Sequence, residues 1–179
     1  MLDFNNIDFS KICENWFLNF NDFLNDNKIN HDDLFHSESH WRDFVSITGD
    51  IITFTGIKNF SNILQNNISN QNAGNFCVDP SRTPPRQVSR AGEKVIEAIF
   101  SFKTNEGIGE GVLRLTPSKK NPTHFKCWSI STSLKELNFK KVSSRTSMIR
   151  DFKAPNWLDI RNFERLYIDR EPTVLVVGC

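Results

Sequence analysis

The feature that most constrains the fold is a change in apolar spacing between the two halves of the chain. Near the start, apolar side chains recur at residues 12, 16, 20, 23 and 24, which is the spacing of a helix with one buried face. Beyond a polar stretch the spacing becomes two, from Ile96 to Phe102, as in a strand. Helices followed by strands form the element order of an α+β domain.

The first half predicts three helices and one strand. The first helix starts near Asp8 or Ser10, whose side chains can cap it, and ends in the Asn/Asp-rich stretch before Asn30. A second, short helix begins at Asn30, and a third covers residues 60–68. The β-branched run before Gly56 predicts a strand, whereas the segment just ahead of it, which contains Trp41, fits neither period.

The second half predicts an antiparallel meander. Residues 66–90 are polar and contain three prolines, which indicates a long loop with one short strand at 76–78. Strands are expected at 96–102, 112–115 and 125–132, and the glycines at 107, 109 and 111 are expected to form a turn. The predicted fold class is α+β, with three helices packed on a curved antiparallel sheet that they close into a cone.

The remainder of the chain is expected to be an appendage, because 179 residues exceed one domain of typical size. We predict a cone domain over residues 8–138 and a linker with a short docked helix over 139–171. Residues 172–179 read as a strand buried on both faces that reaches a glycine, and we interpret them as the first strand of a truncated second domain.

Charge and composition exclude several classes of partner. The net charge is +1, with 22 basic and 21 acidic residues scattered along the chain, so neither nucleic acid nor an anionic membrane is an expected partner. The chain lacks a membrane-length apolar run, and its start lacks a secretion-signal pattern, so we expect a cytoplasmic protein. The four cysteines lack the spacing of a zinc or disulfide framework.

Five segments in order carry a resemblance to a known family. They are WRDFVSITGDIITFTG (41–56), FSFKTNEGIGEGVLRL (100–115), CWSISTSLKEL (127–137), NWLDIRNFERLY (156–167) and PTVLVVG (172–178). Together they resemble flavin-containing monooxygenase-like proteins of fungi and bacteria. In those proteins a SnoaL-like domain, of the nuclear transport factor 2 and ketosteroid isomerase superfamily, precedes the flavoprotein.

The resemblance implies an intact parent that binds FAD and takes electrons from NADPH to oxygenate its substrate. A buried strand that delivers a glycine turn lets backbone amides approach the FAD pyrophosphate, and Gly178 is the first glycine of such a motif. The rest of the motif is expected beyond Cys179. We therefore expect a fragment that holds no cofactor itself and whose partner is the rest of the flavoprotein chain.

Candidate site residues lie between residues 36 and 54. In the isomerase branch of the superfamily a carboxylate in the cone cavity moves protons, and that resemblance makes His40, Trp41 and Asp50 pocket candidates, with His36 and Asp43 nearby. A proton carrier there would need a pKa shifted toward neutrality by burial. The alternative is that these residues are surface or structural hydrogen-bonding groups around a buried Trp41.

Other polar clusters favour plain structural roles. Three histidines at positions 31, 36 and 40 lack the H-E-x-x-H spacing, so no metal site is expected. Trp128 is interpreted as core rather than as a cavity wall. The basic stretch with Lys140, Lys141, Arg145 and Arg150 fits a solvated linker, although it could also contact the NADP phosphate of the parent.

Three functions follow from the resemblance and from these patterns. The first is a non-catalytic accessory domain of a monooxygenase, serving domain packing, dimerisation or substrate access. The second is a stand-alone isomerase or cyclase that takes a small apolar ligand, which predicts an enclosed cavity lined by Asp50 or His40. The third is a module that forms a homodimer through the outer face of the sheet, which requires apolar residues on both faces of strands 100–102 and 125–130.

Overall fold

The structure is a computed structural model that describes residues 7–26, 30–138 and 155–168. The chain divides into two units, Met1–Val142 and Ser143–Cys179. The elements of the first unit are α1 (Phe9–Asp26), α2 (His31–Leu34), β1 (Phe35–Phe44), β2 (Ile51–Thr55), α3 (Ile57–Asn70), β3 (Gly74–Val78), β4 (Arg86–Arg90), β5 (Glu93–Lys103), β6 (Gly107–Pro117) and β7 (Phe125–Leu137). The second unit contributes α4 (Trp157–Glu164).

The three predicted helices of the first unit are confirmed, and local polar groups fix where two of them start. The Asp8 carboxylate accepts a hydrogen bond from the Lys11 amide at 3.0 Å at the start of α1. The Asn30 side chain caps α2 in the same way, accepting from the Asp32 amide at 3.0 Å. The third helix, α3, follows Gly56, whose φ of +82° is accessible mainly to glycine.

The seven strands form one mixed sheet, which corrects the predicted antiparallel sheet. The strand order is β2-β1-β7-β6-β5-β3, and β4 pairs with the first half of β5. The meander β5-β6-β7 is antiparallel, as predicted, but β1 runs parallel to β7. Along the chain, β1 is the first strand and β7 the last, so no hairpin turn sets their relative direction. The residues between them supply the long connection that a parallel pair needs.

The glycines of the 107–111 segment lie inside β6 and do not form the predicted turn. Gly109 is directly opposite Phe102 and Gly111 is directly opposite Phe100. A Cβ atom at Gly109 would lie 2.1 Å from the Phe102 ring, and one at Gly111 would lie 2.4 Å from the Phe100 ring. Both glycines are therefore needed because aromatic rings from β5 lie across β6 on the inner face.

Helices α1 and α3 cover this inner face, and aromatic rings fill the space between the layers. Phe17 of α1 contacts Phe100 with ring centroids 5.1 Å apart, and Phe60 of α3 contacts Phe35 at 5.8 Å. Phe76 of β3 stacks on Phe102 at 4.7 Å. Such ring pairs bury large apolar areas and prefer these separations, so the interior is packed with side chains.

The predicted long loop at 66–90 is shorter than expected, because tertiary contacts order two strands within it. Helix α3 continues to Asn70, and β3 and β4 follow. The Asn21 side chain of α1 donates to the Phe76 carbonyl at 2.8 Å and accepts from the Phe76 amide at 3.1 Å. The Asn21 side chain thus satisfies the hydrogen-bonding groups of one backbone position of β3 from outside the sheet. Sequence periodicity does not encode this contact.

In the second unit, α4 lies within the predicted linker. The Asn156 side chain caps it by accepting hydrogen bonds from the amides of Leu158 and Asp159 at 2.9 and 3.1 Å. The terminal strand and Gly178 of the sequence analysis fall outside the described residues. None of the helices in the described ranges is both long and apolar enough to cross a bilayer.

We predict that Gly109→Ala lowers the free energy of unfolding by about 2 kcal/mol, because the new methyl group overlaps the Phe102 ring. Gly74→Ala is the matched control, since a Cβ there meets no atom within 4 Å. Its effect should stay within about 1 kcal/mol. Urea denaturation followed by tryptophan fluorescence measures both.

A double variant, Gly109→Ala with Phe102→Leu, should cost less than the sum of the two single changes, because the smaller side chain makes room for the methyl group. Equal effects of Gly109→Ala and Gly74→Ala would contradict the packing of Phe102 over β6.

Candidate functional site

The three pocket candidates from the sequence do not converge. His40 and Trp41 are consecutive residues of β1, so their side chains point to opposite faces of the sheet. Trp41 is fully buried on the inner face, whereas the His40 ring lies on the outer face, 3.0 Å from the Thr55 hydroxyl. Asp50 is exposed at the end of the loop after β1. No shared cavity brings these three side chains together in the described part of the chain.

Asp43 is the buried carboxylate of this region, and it organises the loop after β1. Its two oxygens accept hydrogen bonds from the amides of Ile47 and Thr48 at 3.0 and 2.7 Å, and from the hydroxyls of Ser46 and Thr48 at 2.5 and 2.7 Å. The Thr132 hydroxyl of β7 donates to it at 2.7 Å. The carboxylate therefore joins the loop to the sheet.

The same carboxylate also positions Trp41 indirectly. The indole Nε1 of Trp41 donates to the Thr132 hydroxyl at 2.9 Å, and that hydroxyl donates onward to Asp43. Every polar atom in this chain of hydrogen bonds is satisfied, as buried polar groups require. Asp43 is thus a structural anchor beneath Trp41, in line with the hydrogen-bonding role that the sequence analysis gave as its alternative.

Burial and hydrogen bonding shift the pKa of Asp43 in opposite directions. Burial raises the pKa of the carboxyl group, and the hydrogen bonds from Ser46, Thr132 and Thr48 lower it. The hydrogen bonds have the larger combined effect, so the pKa lies below its ordinary value of 3.8. A general base near neutrality needs a shift in the other direction, so Asp43 is unsuited to proton transfer.

An open cleft lies on the outer side of the sheet, and it is the largest of three cavities lined by described residues. Its volume is about 850 Å³, within the usual range of small-molecule sites, and it lies where β1, β6 and β7 meet. Its lining includes His36, Glu38, Thr116, Lys119, Lys126 and Trp128. Neither this cleft nor the two smaller ones of the described chain is lined by His40, Trp41 or Asp50.

His36 crosses over β7 to reach β6 within this cleft. Its Nε2 lies 2.9 Å from the Thr116 hydroxyl. Burial is the largest cause that lowers the pKa of His36 below 6.5; the Thr116 carbonyl opposes it, and the cations Lys126 and Lys119 reinforce it. The imidazole is therefore neutral at pH 7, and His36 offers the cleft an uncharged polar ring.

Trp128 lies beside His36 and is half-buried in the cleft wall, where the sequence analysis favoured a place in the core. A register irregularity between Arg114 and Leu115 of β6 accompanies its position in β7. Strand irregularities of this kind re-aim a side chain. The cleft combines a flat indole with nearby lysines and with the His36–Thr116 pair, so it can bind a small molecule.

Metal ligation finds no support in the geometry of the described ranges, where no three His, Cys, Asp or Glu side chains come together as a potential ligand set. His31 lies on α2 and contacts Asp32 at 3.5 Å, while His36 and His40 lie on β1 with the separate partners given above. The basic stretch at 140–150 and Gly178 fall outside the described residues.

Sequence reasoning missed the partners that decide these roles. Thr132 and Thr116 lie about 90 and 80 positions from the side chains they bond, Asp43 and His36, so no local pattern links them. Glu97 lies on the outer face of β5 and is buried among three arginines, a group that the sequence analysis did not identify. The one available signal was an acidic residue on the polar face of β5, with arginines on the segments before and after it.

Comparisons with known proteins give similarity in overall fold. No protein-family model matches the sequence, and the curated proteins provide no match. The chain is similar to the crystal structure of a DUF4783 family protein from Bacteroides fragilis, with 9% identity and a TM-score of 0.44 over 73% of this chain and 100% of that chain. It is also similar to nuclear transport factor 2 from Cryptosporidium parvum, with 14% identity and a TM-score of 0.43 over 71% and 94% of the two chains. Because the sequence identities and TM-scores are this low, neither similarity supports an argument about function.

We predict that Asp43→Asn lowers the free energy of unfolding at neutral pH by about 3 kcal/mol, because an amide cannot accept all the hydrogen bonds that converge on the carboxylate. A carboxyl group with a lowered folded pKa stabilises the protein above its ordinary pKa, and this stabilisation is lost as pH falls. The stability gap between wild type and variant should therefore narrow below pH 3.8.

Asp50→Asn is the control for that comparison, since Asp50 is exposed, and it should change stability by less than about 0.5 kcal/mol. Denaturant unfolding across the acid range measures both variants. A stability gap between wild type and Asp43→Asn that stays constant with pH would refute the lowered pKa.

We also predict that Lys126→Gln raises the pKa of His36 toward 6.5, and that Lys119→Gln does so to a smaller extent, because each removes a cation that disfavours the imidazolium. Lys58→Gln, on α3, should leave it unchanged. NMR titration of the histidine ring protons gives the three values. An unchanged His36 pKa in Lys126→Gln would show that the lysine does not face the ring.

Proposed function

We propose that this chain is the N-terminal accessory domain of an FAD- and NADPH-dependent monooxygenase, and that the domain provides binding surface instead of chemistry. The resemblance of five ordered segments to flavin-containing monooxygenase-like proteins supports the monooxygenase part of this proposal. The packing of the domain supports the non-catalytic part. The two parts are independent and can be tested separately.

The filled interior is the observation that carries the non-catalytic part. Proton-transfer enzymes with a cone fold need a cavity between helices and sheet that admits a substrate. Here Phe54 stacks on Trp41 with ring centroids 5.2 Å apart, and Phe60 closes on Trp41 at 6.0 Å. These rings occupy the space in which a substrate would have to sit, so the stand-alone isomerase or cyclase is disfavoured.

The available acids point the same way. Asp43 accepts hydrogen bonds from six donors on its loop and on β7, and its pKa is lowered. Asp50 is exposed and His40 faces the outer side of the sheet, away from Trp41. A general acid–base pair requires two groups within reach of one reacting atom, and these residues do not supply it.

The outer face of the sheet favours a polar contact over the apolar homodimer of the third hypothesis. Ser129, Ser131 and Ser133 of β7 lie on it, as does Ser101 of β5. Obligate dimer interfaces resemble a domain core and need apolar surface. This row of serines, beside Trp128 and a ligand-sized cleft, instead suits contact with the rest of a longer chain, such as the flavoprotein of the parent.

The residues that would hold FAD are not among the described ones. Gly178, the first glycine of the motif, falls outside them, and the chemistry of the cofactor would be hydride and oxygen chemistry performed beyond this domain. No residue of the described elements is assigned to that step.

The test uses the reading frame continued past codon 179. The extended protein should contain a G-x-x-G motif and a following helix, bind one FAD and oxidise NADPH, whereas the present chain should show no flavin absorbance. In the extended protein, His40→Ala and Asp50→Asn should leave the rate of NADPH oxidation unchanged.

Two results would overturn the proposal, and each addresses one part. A stop codon directly after residue 179, or stoichiometric FAD on the present chain, would remove the monooxygenase reading. A loss of activity of more than about tenfold in His40→Ala or Asp50→Asn, with folding intact, would restore a catalytic role to these residues.

A further inference from the structure

Three arginines surround one buried glutamate on the outer face of the sheet, and we call this group the arginine cluster. It consists of Glu97 on β5, Arg86 and Arg90 on β4, and Arg114 on β6. Glu97 is directly opposite Arg86 on one side and Arg114 on the other, so both side chains approach it across the sheet. We propose that this cluster binds a dianionic oxyanion, the phosphate group of a small molecule or free phosphate.

The carboxylate of Glu97 is already fully satisfied by the cluster. Its Oε1 accepts from Arg86 Nη2 and Arg90 Nη2, both at 3.0 Å. Its Oε2 accepts from Arg90 Nε at 3.1 Å and Arg114 Nε at 2.9 Å. Arg90 therefore forms a bidentate ion pair with the carboxylate, and one such pair is enough to neutralise a buried carboxylate. The other two arginines exceed what Glu97 needs.

This excess gives the cluster itself a net charge of +2, from three guanidinium groups and one carboxylate. Glu93 lies opposite Arg90 in the strand pairing but forms no ion pair with it. Glu110, the next acid along the outer face of β6, pairs with Arg82 and Lys135 instead. Like charges held this close repel one another unless a counter-charge is present, so the cluster matches the charge of a dianion.

Unused donors point to the same conclusion. Arg86 Nη1 is shielded from solvent and has no hydrogen-bond partner among the described residues. Arg114 uses only Nε for Glu97, which leaves both of its Nη groups without an acceptor among the described residues. An unpaired buried donor is costly, and a guanidinium that offers two parallel donors fits phosphate geometry.

Convergence of the two arginines gives the site its shape. Arg86 and Arg114 start on strands that flank β5, yet each lies within 3.0 Å of an oxygen of the same carboxylate. Their guanidinium groups are thus brought together over Glu97. The side chains are 41% and 31% exposed, so the cluster is accessible from solvent while its charges are partly desolvated. Partial desolvation strengthens the attraction for an anion.

The test is calorimetric titration of the full chain with inorganic phosphate and, in a second arm, with ethyl phosphate, at about pH 8, where both are dianions. We expect one site per chain. Equal affinity for the two ligands would indicate recognition of a phosphoryl group that is part of a larger molecule, and binding of inorganic phosphate alone would indicate free phosphate. Absence of binding in both arms would overturn the proposal.

Two variants with the same loss of charge separate a site from general electrostatic attraction. Arg86→Gln removes one of the two surplus guanidinium groups and should weaken phosphate binding by about tenfold or more, while Glu97 keeps Arg90 and Arg114. Arg82→Gln removes an arginine that pairs with Glu110 outside the cluster and should leave the affinity unchanged. Equal weakening by both variants would refute a specific site.

A third variant reverses the direction of the effect. Glu97→Gln keeps the shape of the side chain but removes the competing negative charge, so phosphate should bind more tightly than it does to wild type. Weaker binding in a folded Glu97→Gln variant would contradict the proposal. Should this variant not fold, the comparison of Arg86→Gln with Arg82→Gln still decides the question.

Discussion

Aromatic rings that cross the inner face of the sheet determine how the rest of the first unit can be built. Phe100 and Phe102 extend from β5 over β6, and they can do so because Gly111 and Gly109 leave that strand without side chains. The helices then pack onto rings instead of onto a concave backbone surface. An interior filled in this way gains dispersion and hydrophobic stabilisation.

The two faces of the sheet each bury a carboxylate, and the two carboxylates have different kinds of hydrogen-bond partners. On the inner side, Asp43 is held by neutral donors, the amides and hydroxyls of its own loop and the hydroxyl of Thr132. On the outer side, Glu97 is held by guanidinium groups. Burial raises the pKa of both carboxyl groups, and their partners lower it further than burial raises it. The Asp43 carboxylate is satisfied by hydrogen bonds from neutral groups, whereas the Glu97 cluster carries surplus positive charge. This surplus makes the outer face the better place to look for an anionic ligand.

The two candidate ligand sites of the described residues lie on the outer side of the sheet. The open cleft beside Trp128 and the arginine cluster around Glu97 both draw on β5 and β6. The candidates that the sequence put forward, His40, Trp41 and Asp50, are divided between the two faces and a loop.

The sequence by itself determined the α+β class, the three helices of the first unit and the β5-β6-β7 meander, because hydrophobic spacing and helix caps are local properties of a chain. The place of β1 beside β7, the role of the β6 glycines and the partners of Asp43 and Glu97 were decided only by the tertiary structure. Each depends on residues that are distant along the chain and meet only after the sheet has formed. A glycine that makes room for a ring and a glycine that forms a turn look the same in sequence, and only the strand opposite tells them apart.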